Sequence, residues 1–137
     1  VMQDLPRIDA AVADGSLARN PKLVSFIGAL KEKKGACHLM GLMSPGGVHS
    51  HQAHMAALAR EVSRAGVPVK LHLFLDGRDT PPQSALEYLA WLEGELRELK
   101  NVTVATVSGR YYAMDRDKRW DRVEKAYAAL TEGAGLL

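Results

Sequence analysis

Val69-Lys70-Leu71-His72-Leu73-Phe74-Leu75-Asp76-Gly77-Arg78-Asp79-Thr80-Pro81-Pro82 passes from an apolar extended run straight into a charged turn closed by two prolines. The run reads as a strand, and Asp76 to Pro82 as the loop that leaves it. Upstream, Gly66 ends a helix that Ser50 can cap and whose Met55, Leu58, Ala59 and Val62 share one face. Downstream, Ser84 and Glu87 form a capping box for a helix that carries Leu86, Leu89, Leu92, Leu96 and Leu99 inward and ends near Lys100. Strands separated by single helices cannot pair as hairpins, so they are expected to lie parallel, with right-handed crossovers.

The same alternation extends outward in both directions. Ala36 to Met43, an apolar run bounded by glycine, fits a strand buried on both faces, and Val102 to Val107 is rich in β-branched residues. Before the first strand, Asn20 caps a helix with Pro21 at its first position and Leu23, Phe26, Ile27 and Leu30 on one face; Gly35 stops it. A shorter helix around Arg7 to Asp14 precedes that one. After the loop Ser108 to Arg116, Trp120, Val123, Tyr127 and Leu130 recur at helical spacing. The pattern predicts an α/β fold, a three-layer α/β/α sandwich with a mainly parallel sheet and helices covering both faces, as a single domain over residues 1–137.

The bulk numbers agree with a globular domain and exclude several functions. With 137 residues, 47% of them apolar, a sizeable core is available. A net charge of +2, spread over interleaved acids and bases, argues against nucleic acid or an anionic membrane as partner and leaves small anions. Cys37, the single cysteine, lies in an apolar run, which excludes a disulfide framework and fits a buried thiol in the reducing cytoplasm. No apolar stretch approaches the ~20 residues needed to cross a bilayer, and the N-terminus lacks signal-peptide order. Val1 is not an initiator, and the tail Thr131 to Leu137 leaves two leucines in a Gly-rich turn, so the chain reads as a fragment.

In open parallel sheets, ligands bind outside the carboxyl ends of the strands, which selects three loops. In the first, Ser44-Pro45-Gly46-Gly47-Val48-His49-Ser50-His51, paired glycines let the backbone approach a ligand, and the helix after them favours an anion. His49 sits at its mouth. In the second loop Arg78 can grip a phosphate or carboxylate with its fork, while Asp79 can accept from hydroxyl groups and move their protons. The third, Gly109-Arg110-Tyr111-Tyr112-Ala113-Met114-Asp115-Arg116, adds two arginines and two tyrosines that can wall them off. Together His49, Arg78, Asp79, Arg110 and Arg116 describe a pocket for a small, multiply anionic, hydroxylated molecule such as a phosphorylated hydroxy acid.

Each feature also has a plainer reading. Gly-Gly serves ordinary turns, and Arg78 beside Asp79 forms a surface pair worth ~1 kcal/mol or less. Asp115, Asp117, Arg119 and Arg122 read as a solvated, salt-bridged helix start. His49, His51 and His54 raise a metal site and with it a metal-dependent hydrolase, but no cysteine or aspartate completes an evident tetrahedral set. Adjacent aromatics and arginines can stack on nucleic-acid bases, yet no basic stripe tracks a backbone.

The blocks Gly41-Leu42-Met43-Ser44-Pro45-Gly46-Gly47-Val48-His49-Ser50-His51, Phe74 to Pro82, and Gly109 to Tyr127, in this order and with Gln3-Asp4-Leu5 and Arg7-Ile8 upstream, resemble the cofactor-independent phosphoglycerate mutases over nearly the whole chain. The resemblance implies a part of a two-domain enzyme that interconverts 3-phosphoglycerate and 2-phosphoglycerate in glycolysis and gluconeogenesis. It implies that a serine of another, alkaline-phosphatase-like domain takes the phosphoryl group with two divalent metals, usually manganese. It also implies that His49, Arg78, Asp79, Arg110 and Arg116 hold the substrate, with Asp79 exchanging protons with the glycerate hydroxyls.

This sequence departs from the whole-enzyme pattern by absence. No segment resembles the nucleophilic serine or the Asp and His metal ligands, and Ser44, Ser50 and Ser108 do not fill that role. The expectations are therefore that the isolated chain binds no metal and shows no mutase activity, and that its partner is the metal-binding domain of the same enzyme. A free-standing module for an anionic metabolite is the alternative with the same pocket.

Overall fold

The computed structural model describes residues 2–136; Val1 and Leu137, whose positions at the ends entered the fragment reading, lie outside the described residues. The elements are α1 (Asp4–Ala13), α2 (Pro21–Glu32), β1 (Cys37–Met43), α3 (Gln52–Arg64), β2 (Val69–Leu75), α4 (Ala85–Leu96), β3 (Val102–Gly109), α5 (Arg110–Ala113) and α6 (Trp120–Glu132). They form the α/β arrangement that the alternation predicts, an all-parallel three-stranded sheet in the order β1-β2-β3 flanked by helices.

The register of the strands decides where their loops emerge. Met43 lies beside Leu75 and Leu75 beside Gly109, so all three strands end level and release their loops along one edge. β3 keeps this alignment although it is one residue longer. Leu71 pairs with Val104 and His72 with Thr106, leaving Ala105 as an unpaired bulge.

The core lies where Val69, Leu71 and Leu73 of β2 meet Met55, Ala56, Ala59 and Val62 of α3 and Leu92 and Leu96 of α4. Stepping from β1 to β2 to β3 in one direction, with crossovers of one hand, brings both connecting helices to the same face. The opposite face is more open than expected. His38 and Met40 of β1 are exposed, Met40 at 58%, so this strand is not buried on both faces along its length. There His72 is buried, its Nε2 2.9 Å from His38 Nδ1 and its Nδ1 2.8 Å from Thr106 Oγ1. Burial, with the His38 ring beside it, pushes the His72 pKa down, because a second proton on that ladder is disfavoured.

Helix termini show which local readings survive packing. Asn20 caps α2 as predicted, its Oδ1 accepting from the amides of Lys22 and Leu23. The positive φ that ends this helix belongs to Lys34 (52°), not Gly35. His51, rather than Ser50, caps α3 by accepting from Ala53 N–H, because the Ser50 hydroxyl is taken by the Leu42 carbonyl at 2.5 Å. The Ser84 capping box does not form; its hydroxyl donates to Pro81 O at 2.6 Å, and Leu86 points outward at 76% exposure. On α6 the buried stripe centres on Ala126, with Trp120 and Tyr127 in solvent. Among the described residues no helix is long and apolar enough to cross a membrane.

Candidate functional site

Asp76, the first residue after β2, organises the loops at the sheet edge. Its side chain is fully buried, and its Oδ1 accepts from the backbone N–H groups of Gly77, Arg78 and Asp79 at 2.8, 2.9 and 3.1 Å. This is an aspartate turn in which the side chain supplies the acceptor that a regular strand would otherwise provide. The same oxygen accepts from Arg110 Nη1 at 3.0 Å, while Oδ2 accepts from the Ser44 hydroxyl at 2.7 Å. Ser44 Oγ in turn accepts from Gly46 N–H at 3.2 Å. One carboxylate thus ties together the loops after β1, β2 and β3.

Burial alone would raise the Asp76 pKa, but the Arg78 amide, the Ser44 hydroxyl, Arg110 and the Asp79 amide outweigh it and hold the carboxyl well below the usual carboxylate range. The Arg110 pKa is raised despite burial, because the hydrogen bonds and charges of Asp79 and Asp76 favour its cation. Arg110 Nη1 reaches Asp79 Oδ2 at 2.8 Å as well, and His49 Nε2 lies 4.0 Å from that same Asp79 oxygen.

The glycine loop after β1 and Asp79 of the next loop can approach this closely only without a side chain in the way. A Cβ on Gly46 would sit 2.9 Å from Asp79 Cβ and 3.3 Å from Ser44 Oγ. Gly47 takes a φ of +68°, in the region that L side chains rarely adopt. The paired glycines therefore serve loop-to-loop packing as well as the turn.

His49, Arg78, Asp79, Arg110 and Arg116 all line one cavity of about 660 Å³ at this edge. That volume falls in the usual range for small-molecule sites, ~300–1,000 Å³. The structure separates the five into two groups. Asp79 and Arg110 form the floor, each with a side chain 15% exposed; Arg78, Arg116 and His49 stand exposed at the rim. Arg78 and Arg116 make no ion pair among the described residues.

Several participants were not singled out by sequence reasoning. Asp76 and Ser44 were seen only as turn residues, and the short helix α5 was read as loop. Asp115 is no part of a solvated helix start. Its side chain is 2% exposed, accepts from the amides of Asp117 and Arg119 at 3.2 and 2.8 Å, and pairs with Arg122 Nη1 at 3.4 Å. Arg122 also lies over the Tyr111 ring, 3.9 Å from its centroid, and both border the cavity. Aspartates opening a turn or helix signal such capping, but their long-range partners are invisible in sequence.

The remaining histidines turn to structural tasks. His51 caps α3, and His54 Nε2 contacts Asp9 Oδ1 of α1 at 2.6 Å. Among the described residues no three His, Cys, Asp or Glu side chains are arranged to hold a metal ion, so the residues present do not fit the divalent metals that the resemblance implies.

Fold and site together define an α/β protein with an arginine-rich, carboxylate-braced cavity at the carboxyl ends of its parallel strands. Comparison with known proteins places it further. Residues 8–136 match the family described as BPG-independent PGAM N-terminus (iPGM_N), and the chain belongs to that family. It is 58% identical over 135 residues to the 2,3-bisphosphoglycerate-independent phosphoglycerate mutase of Rhodopseudomonas palustris and 56% identical to that of Gluconobacter oxydans; both matches cover 98% of this chain and 26% of the relative. The crystal structures of Leishmania mexicana phosphoglycerate mutase at low cobalt concentration include a chain of 28% identity that superimposes with a TM-score of 0.83, over 93% of this chain and 24% of that one. The chain thus spans about a quarter of the length of the relatives it matches.

Proposed function

We propose that this chain is the phosphoglycerate-holding region of a 2,3-bisphosphoglycerate-independent mutase that interconverts 3-phosphoglycerate and 2-phosphoglycerate in the cytoplasm, in glycolysis and gluconeogenesis. The observation that carries the proposal is the convergence of His49, Arg78, Asp79, Arg110 and Arg116 on one cavity. Family membership and the activity named for the relatives supply the substrate.

In this reading the exposed Arg78 and Arg116 meet phosphate and carboxylate oxygens with charge-assisted, bidentate bonds. Arg110 on the floor fixes the orientation. Asp79, with one oxygen held by Arg110, accepts a hydrogen bond from a glycerate hydroxyl and takes up or returns its proton; His49, its Nε2 4.0 Å from that same oxygen, is placed to donate to the ligand beside it. The serine and two divalent metals, manganese by expectation, belong to the remainder of the enzyme.

The isolated chain then binds phosphoglycerate but does not turn it over, since covalent acceptor and metals supply the transfer chemistry. Calorimetric titration with 3-phosphoglycerate tests this directly, with a coupled mutase assay on the same sample. Heat of binding in the wild type, a much weaker but still measurable binding in Arg110→Ala, and a flat assay are expected. Turnover that scales with protein concentration after metal chelation would overturn the reading, as would equal binding by both proteins.

A further inference from the structure

We infer that Asp76 is a positioning residue for this site: it fixes Arg110 and the three loops in their ligand-receiving arrangement before any ligand arrives. The inference rests on the proposed anion-holding role of the cavity, but it concerns a residue that need not touch the substrate.

The geometry divides the carboxylate into two functions. Oδ2 holds the loop after β1 through the Ser44 hydroxyl, and Ser44 Oγ in turn accepts the amide of Gly46, close to His49. Oδ1 holds three consecutive amides of the second loop, including those of Arg78 and Asp79, and also Arg110 Nη1 from the third. Of the residues assigned to the ligand, Arg78, Asp79 and Arg110 are thus hydrogen-bonded directly to this one group.

Arg110 makes the consequence specific. A guanidinium carries five N–H donors. Among the described residues only Nη1 is engaged, shared between Asp76 and Asp79, so the other donors stay available on a side chain whose rotamer is already set. An arginine held in this way loses little further freedom on binding, which is the gain from pre-organisation. Asp79 benefits from the same brace, since its backbone amide and its carboxylate are each anchored, one by Asp76 and the other by Arg110.

A carboxylate that merely stabilised the fold would show none of this coupling, and a double-mutant cycle separates the two cases. Binding of 3-phosphoglycerate is measured for wild type, Asp76→Asn, Arg110→Ala and the double variant. Asp76→Asn is expected to weaken binding roughly tenfold in the wild-type background and by less than about twofold once Arg110 is gone, as for contacting partners. Equal weakening in both backgrounds would overturn the inference and leave the site assignment standing. Absence of binding by the wild type would instead count against the proposed function. A ligand-independent measurement then decides the inference: the 15N–1H signals of the wild-type Arg110 guanidinium are expected to show slow rotation, and fast rotation there would sink it without any variant.

Discussion

Asp76 and Arg110 at the floor of the cavity are mostly buried and hydrogen-bonded to each other, whereas Arg78 and Arg116 at its rim are exposed and unpaired among the described residues. Both pairs include an arginine of similar intrinsic chemistry, yet the structure gives them different tasks. On the floor, burial makes any unpaired charge costly, so each group must keep its partner, and position is fixed at the expense of freedom. At the rim the guanidinium groups are open to solvent, and no carboxylate among the described residues holds them. Those charges contribute little to the fold and remain free for an anion. Changes at the floor should therefore appear first in stability, and changes at the rim first in affinity.

The largest effect is expected from Asp76→Ala. It strips the acceptor from three backbone amides, Ser44 and a mostly buried guanidinium. Breaking such a pair costs about 3–5 kcal/mol; the lower end applies, since Asp79 still faces Arg110. Urea unfolding at pH 7 measures the loss. The pH dependence has a definite sign. The folded Asp76 carboxyl titrates far below its ordinary value, so its stabilisation is fully present above the unfolded pKa, roughly 4, and is lost as pH falls toward the folded value. Wild type and Asp76→Ala should thus draw together in stability as the solution is acidified below about pH 4. A constant gap down to strong acid would assign the stabilisation to packing instead of charge.

Gly46→Ala tests the same floor by shape alone. The new methyl would meet Asp79 Cβ at 2.9 Å, a distance that requires one of two loops to move. A cost of about 1–3 kcal/mol is expected for such overpacking, with Asp79 displaced from Arg110. The observable is a lower thermal midpoint together with altered Arg110 guanidinium signals. A variant as stable as wild type would mean that the two loops are less tightly packed than the floor description holds.

How much of this could be read from the residues depends on how far apart the partners lie. Strands and helices follow from short-range periodicity, and Asn20 needs only the two amides beside it to act as a cap. The common rim was also legible, because parallel strands of similar length release their loops together. The capping assignments for Ser50 and Ser84 failed for a single reason: each hydroxyl found a carbonyl, Leu42 O or Pro81 O, that competes with the helix amides. The role of Asp76 depends on Ser44 and Arg110, which are 32 and 34 residues away. Asp115 looks like a surface acid until Arg122 and the two amides enclose it. Ala105 slips out of the ladder, and only the paired register reveals that the bulge brings Gly109 level with Leu75.

Arg116→Ala is expected to change stability least and so sharpens the contrast from the other side. Its guanidinium is exposed, lines the cavity and makes no ion pair among the described residues, so the fold should lose no more than about 0.5 kcal/mol. Its effect on 3-phosphoglycerate affinity should be larger, because a hydrogen bond to a charged group contributes about 1.5–3 kcal/mol, which is roughly tenfold or more in affinity. Thermal melts with and without ligand measure both quantities in one series: the ligand-free midpoint should stay near that of wild type, while the ligand-induced rise should shrink. A matching fall in the ligand-free midpoint would place Arg116 with the floor, and the separation of fixed floor from free rim would then no longer describe the cavity.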